Sequence, residues 1–359
     1  MTALAKLPKA ALLLLAATLC WNSASAIAPA STAVRPMTAM AAAPEIGILP
    51  MGAQGAQYEA QPGQILACGN ATAQMVLVKP TYVVGEPVFL RLVIRKRDKA
   101  QPSVEFRSRL AFGTDIHAYI IPDKGRPYEY LGNQLGSTVP TGVITLDRFS
   151  TFRIDYRLAM DKNTVSGVPF EDPGVYVIKV TQSCGDGDNA EPVALGDFTI
   201  TVKAAEGDDA KALEFLNDYR LFECFQTRSA RYALGTRRLD AQQVALFQRV
   251  VDQAPKAALR PYAMQVIAEY FVDQDNRPKS IETYAKVIDE YPGSIVAEEA
   301  TLRIISLLQL EGRDDEARQY FLSAWQSPTM SQLVLPGTPN WTKYVQPYQY
   351  VASAKQWSL

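Results

Sequence analysis

The residue types that most often carry chemistry are scarce in this chain and stand apart from one another. There is one histidine, His117, which excludes zinc sites built from several histidines. No Gly-x-Ser-x-Gly turn accompanies it, and Cys224 falls in a different part of the chain, so a nucleophile–base pair is not indicated. The pattern reads His117 as an ordinary strand residue. The run Asp186-Gly187-Asp188-Asn189-Ala190-Glu191 groups oxygen ligands of the kind calcium takes, but it lacks the glycine-sixth, glutamate-twelfth order of an EF-hand. A polar turn between two strands accounts for the same residues equally well. No phosphate-binding glycine loop or dinucleotide fingerprint is present. The sequence therefore assigns no catalytic residue, no cofactor and no metal, and it favours binding over catalysis.

The cysteines say where the chain works. Residues 1–26 have the three parts of an export signal: Lys6 and Lys9, an apolar run from Ala10 to Leu19, and the small-residue site Ala24-Ser25-Ala26. A competing lipoprotein reading at Cys20 meets Leu19 where a small residue is wanted. The apolar run is shorter than the roughly 20 residues that cross a bilayer, and no later segment reaches that length. The expectation is a periplasmic or secreted protein, released after cleavage near Ala26. Cys68, Cys184 and Cys224 then remain in an oxidising compartment, enough for one disulfide and one spare thiol. Three pairings are possible. Cys68 and Cys184 flank the ends of the strand-rich region, and a bridge between them closes a long loop. Cys224 sits beside Phe222 and Phe225 and reads as a buried thiol.

Composition narrows the class further. The chain is 48% hydrophobic and 20% charged, the balance of a folded protein. Loss of the two signal lysines takes the formal charge from −1 to −3, which offers no bulk attraction for nucleic acid. Residues 27–60 are rich in Ala, Pro, Gly and Met, lack periodicity, and read as a flexible tether.

From residue 61 to about 205 the pattern is alternation. Val88, Leu90, Leu92 and Ile94 fall on one face of a strand, and Phe89, Arg91, Val93 and Arg95 on the other. Similar runs recur at Met75–Val78, Ile116–Ile121, Phe149–Tyr156, Val175–Thr181 and Phe198–Val202. Turn signals such as Gly85-Glu86-Pro87 and Asp172-Pro173-Gly174 separate them. The reading is an antiparallel sandwich. The stretches Tyr82-Val83-Val84-Gly85-Glu86-Pro87-Val88 and Asp172-Pro173-Gly174-Val175-Tyr176 resemble strand lead-ins of immunoglobulin-like and macroglobulin-like domains. The resemblance implies an immunoglobulin-like β-sandwich and says little about function. The domain contains no Trp, so the antibody-type core is missing.

After Glu206-Gly207 the pattern becomes helical over 206–328, with Asp208 read as an N-cap. An internal repeat appears. Val250-Val251-Asp252-Gln253-Ala254-Pro255 matches Val287-Ile288-Asp289-Glu290-Tyr291-Pro292, 37 residues later, and Phe247 and Tyr284 align at the same displacement. Met264, Ile267, Ala268, Phe271, Ser280, Tyr284, Val287 and Pro292 resemble a tetratricopeptide repeat. The stretches 291–300 and 312–317 resemble the repeats of periplasmic TolA-binding and outer-membrane assembly proteins. The resemblance implies a concave groove lined by Tyr262, Gln265, Glu269, Glu299, Leu302, Ser306 and Gln309, suited to a protein partner or peptide segment. Phe247, Tyr284 and Phe321 read as core between helices.

Residues 329–359 hold Trp341, Tyr344, Tyr348, Tyr350 and Trp357 and read as a tail that caps the open end of the array. The fold class expected is β then α in separate domains: an antiparallel immunoglobulin-like sandwich followed by a tetratricopeptide-like array. The function expected is a non-enzymatic envelope scaffold or binding protein. The alternative is a protease-inhibitor-like or ligand-binding sandwich that uses the Leu131–Gly142 connection, and a third reading is an enzyme with an unrecognised site.

Overall fold

The computed structural model describes residues 60–98, 104–107, 116–131, 143–146, 151–159, 161, 164, 167–183, 192–227 and 239–325. All of them belong to one compact unit. Eleven strands come first: β1 (Gln61–Cys68), β2 (Ala71–Leu77), β3 (Thr81–Val83), β4 (Val88–Lys96), β5 (Val104–Arg107), β6 (Ile116–Pro122), β7 (Tyr128–Tyr130), β8 (Val143–Leu146), β9 (Thr151–Leu158), β10 (Gly174–Ser183) and β11 (Pro192–Lys203). Seven helices follow: α1 (Asp208–Phe215), α2 (Tyr219–Thr227), α3 (Ala241–Gln253), α4 (Arg260–Asp273), α5 (Arg277–Glu290), α6 (Ile295–Leu310) and α7 (Asp314–Trp325).

The strands form a four-stranded sheet in the order β1-β2-β4-β9, a five-stranded sheet β3-β11-β10-β6-β7, and a separate pair β5-β8. The alternation in β4 does what its pattern asks. Leu90, Leu92 and Ile94 face inward, where they share an apolar core with Ile116, Ile178, Phe198 and Ile200 of the five-stranded sheet. The other face of β4 is covered over part of its length, and Arg95 at its far end is exposed. Phe89 belongs instead to the core of the helices, together with Val78, Ala159 and Val168.

This architecture corrects the expected fold class. Strands precede helices, but the sheets do not make an antiparallel immunoglobulin-like sandwich. β3 runs parallel to β11, so the larger sheet is mixed. Pro80 and the Gly85-Glu86-Pro87 turn cut β3 to three residues, and the chain only touches that sheet before returning to β4. Alternation reports a buried face, not the direction of the neighbouring strand, so a short parallel edge is silent in sequence. The helices form a small array rather than a free-standing tetratricopeptide-like solenoid. Its core runs on without a break into the outer face of the four-stranded sheet.

Capping and short turns set the helical layer. Asp240 accepts from the Gln243 amide while the Gln243 side chain accepts from the Asp240 amide, a reciprocal box that starts α3. Asn276 and Ser294 cap α5 and α6. Turns of three to six residues make α3 through α7 antiparallel neighbours. Asp208 is not the cap the sequence suggested. Gly207, with φ 56°, stands at that position. The Asp208 carboxylate accepts from the Lys256 amide at 2.9 Å and Asp209 from the Ala258 amide at 2.7 Å. The two acids clamp the turn between α3 and α4.

Candidate functional site

A pocket of about 280 Å³ opens where that clamped turn meets the sheet. One wall is the β2–β4 segment, with Val78, Lys79, Tyr82, Glu86 and Phe89. The other is helical: the α3–α4 turn with Lys256, Ala257 and Ala258, the start of α4 at Pro261 and Tyr262, and the α5–α6 turn with Tyr291 through the start of α6 at Val296. The lining is chiefly apolar, and four aromatic side chains contribute to it. Phe89 and Tyr262 lie 6.1 Å apart with nearly parallel rings.

Local sequence explains why the β side holds its shape. Gly85 has φ 83°, and a Cβ there would meet the Leu213 side chain at 2.6 Å, so only glycine fits both the turn and the close approach of α1. Glu86 follows directly and is buried. Its Oε1 pairs with the Lys79 ammonium, and its Oε2 accepts from the Val83 amide at 3.2 Å. Burial pushes the Glu86 carboxyl above its usual range, against the pull of Lys79 and the Val83 amide. The Lys79 ammonium also lies 4.5 Å from the centre of the Tyr82 ring. On the helical side Arg260 donates to the Tyr291 hydroxyl at 2.9 Å and pairs with Glu290.

The chain's own sheet covers one end of the groove expected from the repeats, at Tyr262, Gln265 and Glu299. Arg157 of β9 is buried against it. Its guanidinium donates to the Phe225 carbonyl at 3.0 Å, to Gln265 Oε1 at 2.8 Å and to Glu299, and it lies 5.2 Å from the centre of the Phe89 ring. Arg91 of β4 reaches Asp155 at 2.8 Å and Glu298 at 3.1 Å. Tyr262, Gln265 and Glu299 therefore meet at the sheet, not at an open surface. Glu269 is turned to Arg303, with two contacts of 2.7 Å, and accepts from the Tyr284 hydroxyl. Leu302 and Ser306 pack within the helical layer, and Gln309 is half-buried farther along α6. Of the seven residues expected to line the groove, Tyr262, Gln265, Glu269 and Ser306 are buried. A concave helical face that is half apolar attracts any apolar sheet face next to it, and Phe89 supplies one.

His117 lies on β6 with its Nδ1 2.6 Å from Glu129. Cys68 is disulfide-bonded, and Cys184 lies outside the described residues. Cys224 is a free, buried thiol, and burial pushes it up to about 12. The acidic run 186–191, residues 1–26 and 27–59, the tail from 326, and the connection beyond Leu131 also lie outside the described residues. Among the described residues no cluster of His, Cys, Asp and Glu could hold a metal, and no helix is long and apolar enough to cross a membrane.

Sequence reasoning missed Lys79, Tyr82, Arg91, Arg157 and Tyr291. Gly85-Glu86-Pro87 was legible as a turn, but the burial of its glutamate was not. Arg91 carried a readable signal, since a charge opposite Leu90 and Leu92 marks the second face of the strand. It reads as solvent-facing until something is known to cover it.

No protein-family model matches the chain, and no curated protein matches it. Solved structures give partial likenesses. A β-glucosidase from Listeria innocua in complex with glucose aligns at 13% identity and a TM-score of 0.21, over 41% of this chain and 16% of that one. A multi-domain immunophilin from Arabidopsis thaliana aligns at 13% identity and a TM-score of 0.26, over 68% of this chain and 96% of that one. The chain thus spans about a sixth of the length of the glucosidase. Both likenesses are too slight to carry the fold or a function across.

Proposed function

We propose that this protein is an exported, non-enzymatic binding protein of the cell envelope, and that it docks a protein partner through the pocket between sheet and helices. The observation that supports this reading is the pocket itself: an open, chiefly apolar hollow with four aromatic side chains on a rigid frame. Its polar groups are engaged in ways that suit binding over catalysis. Both oxygens of Glu86 are taken, and the Ser294 hydroxyl accepts from the Ala297 amide as the cap of α6. The export reading rests on residues 1–26, as in the sequence argument. The partner surface moves from the helical groove, whose Tyr262, Gln265 and Glu299 meet the sheet, to the pocket beside them.

The test is crosslinking in the native envelope, followed by mass spectrometry, with wild type and Ala258→Phe compared. Ala258 is half-buried on the pocket wall, so a phenyl group there fills the hollow without emptying a core. A partner crosslinked by wild type and lost with the folded variant supports the reading. A crosslink pattern unchanged by the filled pocket overturns it.

A further inference from the structure

Resting on that reading, we propose that the pocket anchors one aromatic side chain of an internal partner segment, with an acidic residue beside it in the partner's sequence. Size sets the first half. Sites for drug-sized ligands begin at about 300 Å³, so a hollow of about 280 Å³ takes one ring system rather than an extended ligand. Phe89 and Tyr262 present stacked rings, and Tyr82 and Tyr291 add two more to the lining. An entering ring finds faces and edges at several angles, the arrangements that aromatic pairs favour. Buried aromatic anchors dominate protein interfaces for this reason.

Charge sets the second half. The lining carries Lys79 and Lys256 against the single carboxylate of Glu86. Lys79 uses one of its donors on Glu86. Lys256 is exposed and makes no ion pair among the described residues. The helices α4 and α6, of 14 and 16 residues, both begin in the lining and turn their positive ends toward it. Asp208 and Asp209 do not line the hollow, and they accept from the amides of the α3–α4 turn. Lys256 therefore offers a partner to an acid next to the anchor and repels a base, in a field that the Asp209 carboxylate, felt at Glu86, weakens. A main-chain strand added to the edge of β3 is not the mode, because Glu86 already accepts from the outward Val83 amide.

The experiment uses the full mature chain and peptides blocked at both ends, so that no terminal charge contributes. Calorimetry compares acetyl-Gly-Trp-Glu-Gly-amide with its Glu→Lys and Trp→Ala forms and with free indole-3-propionate. The expected result is binding of the Trp-Glu peptide, a loss of at least about tenfold without Trp, and a weaker Lys form at low salt. Ala258→Phe abolishes binding, and Lys256→Glu reverses the preference between Glu and Lys. Equal binding of the Glu and Lys peptides overturns the proposal. So does indole-3-propionate that binds as tightly as the peptide, since the site then belongs to a small acid. If no peptide binds while Ala258→Phe still removes the envelope crosslink, this proposal falls and the docking reading survives. If the crosslink persists in Ala258→Phe, the docking reading falls first.

Discussion

The two faces of β4 and β9 are built from the same strands by opposite means. Toward the five-stranded sheet, Leu90, Leu92, Ile94 and Leu158 are fully buried among other apolar side chains. Toward the helices the same strands present Phe89 opposite Arg157 and Arg91 opposite Asp155. The inner face holds by area, which is strong but blind to direction. The outer face holds by directed bonds from two arginines to five partners: Phe225, Gln265, Glu299 and Glu298 on the helical layer, and Asp155 within the sheet. Burying such charges costs desolvation, so they are poor evidence of extra stability. What they supply is geometry. A guanidinium that must meet Gln265, Glu299 and the Phe225 carbonyl together permits one seating of helices on sheet, and that seating is what forms the pocket.

The largest effect should come from breaking the polar seam at its centre. Arg157→Ala leaves Glu299 buried without its guanidinium and should cost about 3–5 kcal/mol in denaturant unfolding. Amide exchange should rise in α4 and α6 before it rises in β10 and β11. The double variant Arg157→Met with Glu299→Gln should recover a large part of the loss, because no uncompensated charge remains. A single variant within about 0.5 kcal/mol of wild type would remove the contrast between the two faces. Leu92→Ala comes next, at about 3 kcal/mol from lost transfer energy and the cavity it leaves. Here exchange should rise in both sheets together. Faster exchange confined to the helices would show that the inner face is not the shared core of the sheets.

How much of this was open to the sequence divides along the same line. Inward positions of β4 were legible, since apolar residues two apart dictate a buried face whatever covers it. The order of strands before helices was legible from the change of period near Glu206. The repeated Pro255 and Pro292 marked the two turns that line the pocket. The parallel pairing of β3 was not legible, because its three residues carry no signal of strand direction. Nor was the seam. Arg157 becomes a buried anchor only because α4 and α6 bring Gln265 and Glu299 to it, across more than a hundred residues of chain. Repeat matching placed Tyr262, Gln265 and Glu299 on one surface, and the structure brings them together, but periodicity within the helices holds no information about what lies opposite.

A smaller effect tests how far the seam's order extends. The reciprocal cap at Asp240 lies at the start of α3, away from Arg157. Asp240→Ala should cost about 1 kcal/mol, read as fraying of the first turn of α3 in amide exchange. The Arg157 contacts should be unaffected, so the losses from Asp240→Ala and Arg157→Ala should add within about 0.5 kcal/mol. A coupling well beyond that would mean that the helical layer seats as a single cooperative body.

The subtlest test is the pH dependence of Glu298. Burial raises its carboxyl well above the ordinary value, Arg91 pulls the other way, and Asp155 on the same arginine adds to the rise. The folded protein therefore holds this proton more tightly than the unfolded chain does. That stabilisation is complete below the unfolded value near 4.5 and is lost as pH rises through the folded value. Glu298→Gln has no proton to lose. Its stability relative to wild type should rise steadily above pH 4.5 and level off once wild-type Glu298 is ionised, while below pH 4.5 the two proteins should run parallel. A relative stability that falls with rising pH would reverse the sign and show that Arg91 outweighs burial. The outer face would then contribute stability as well as orientation, and the contrast with the inner face would be one of chemistry alone.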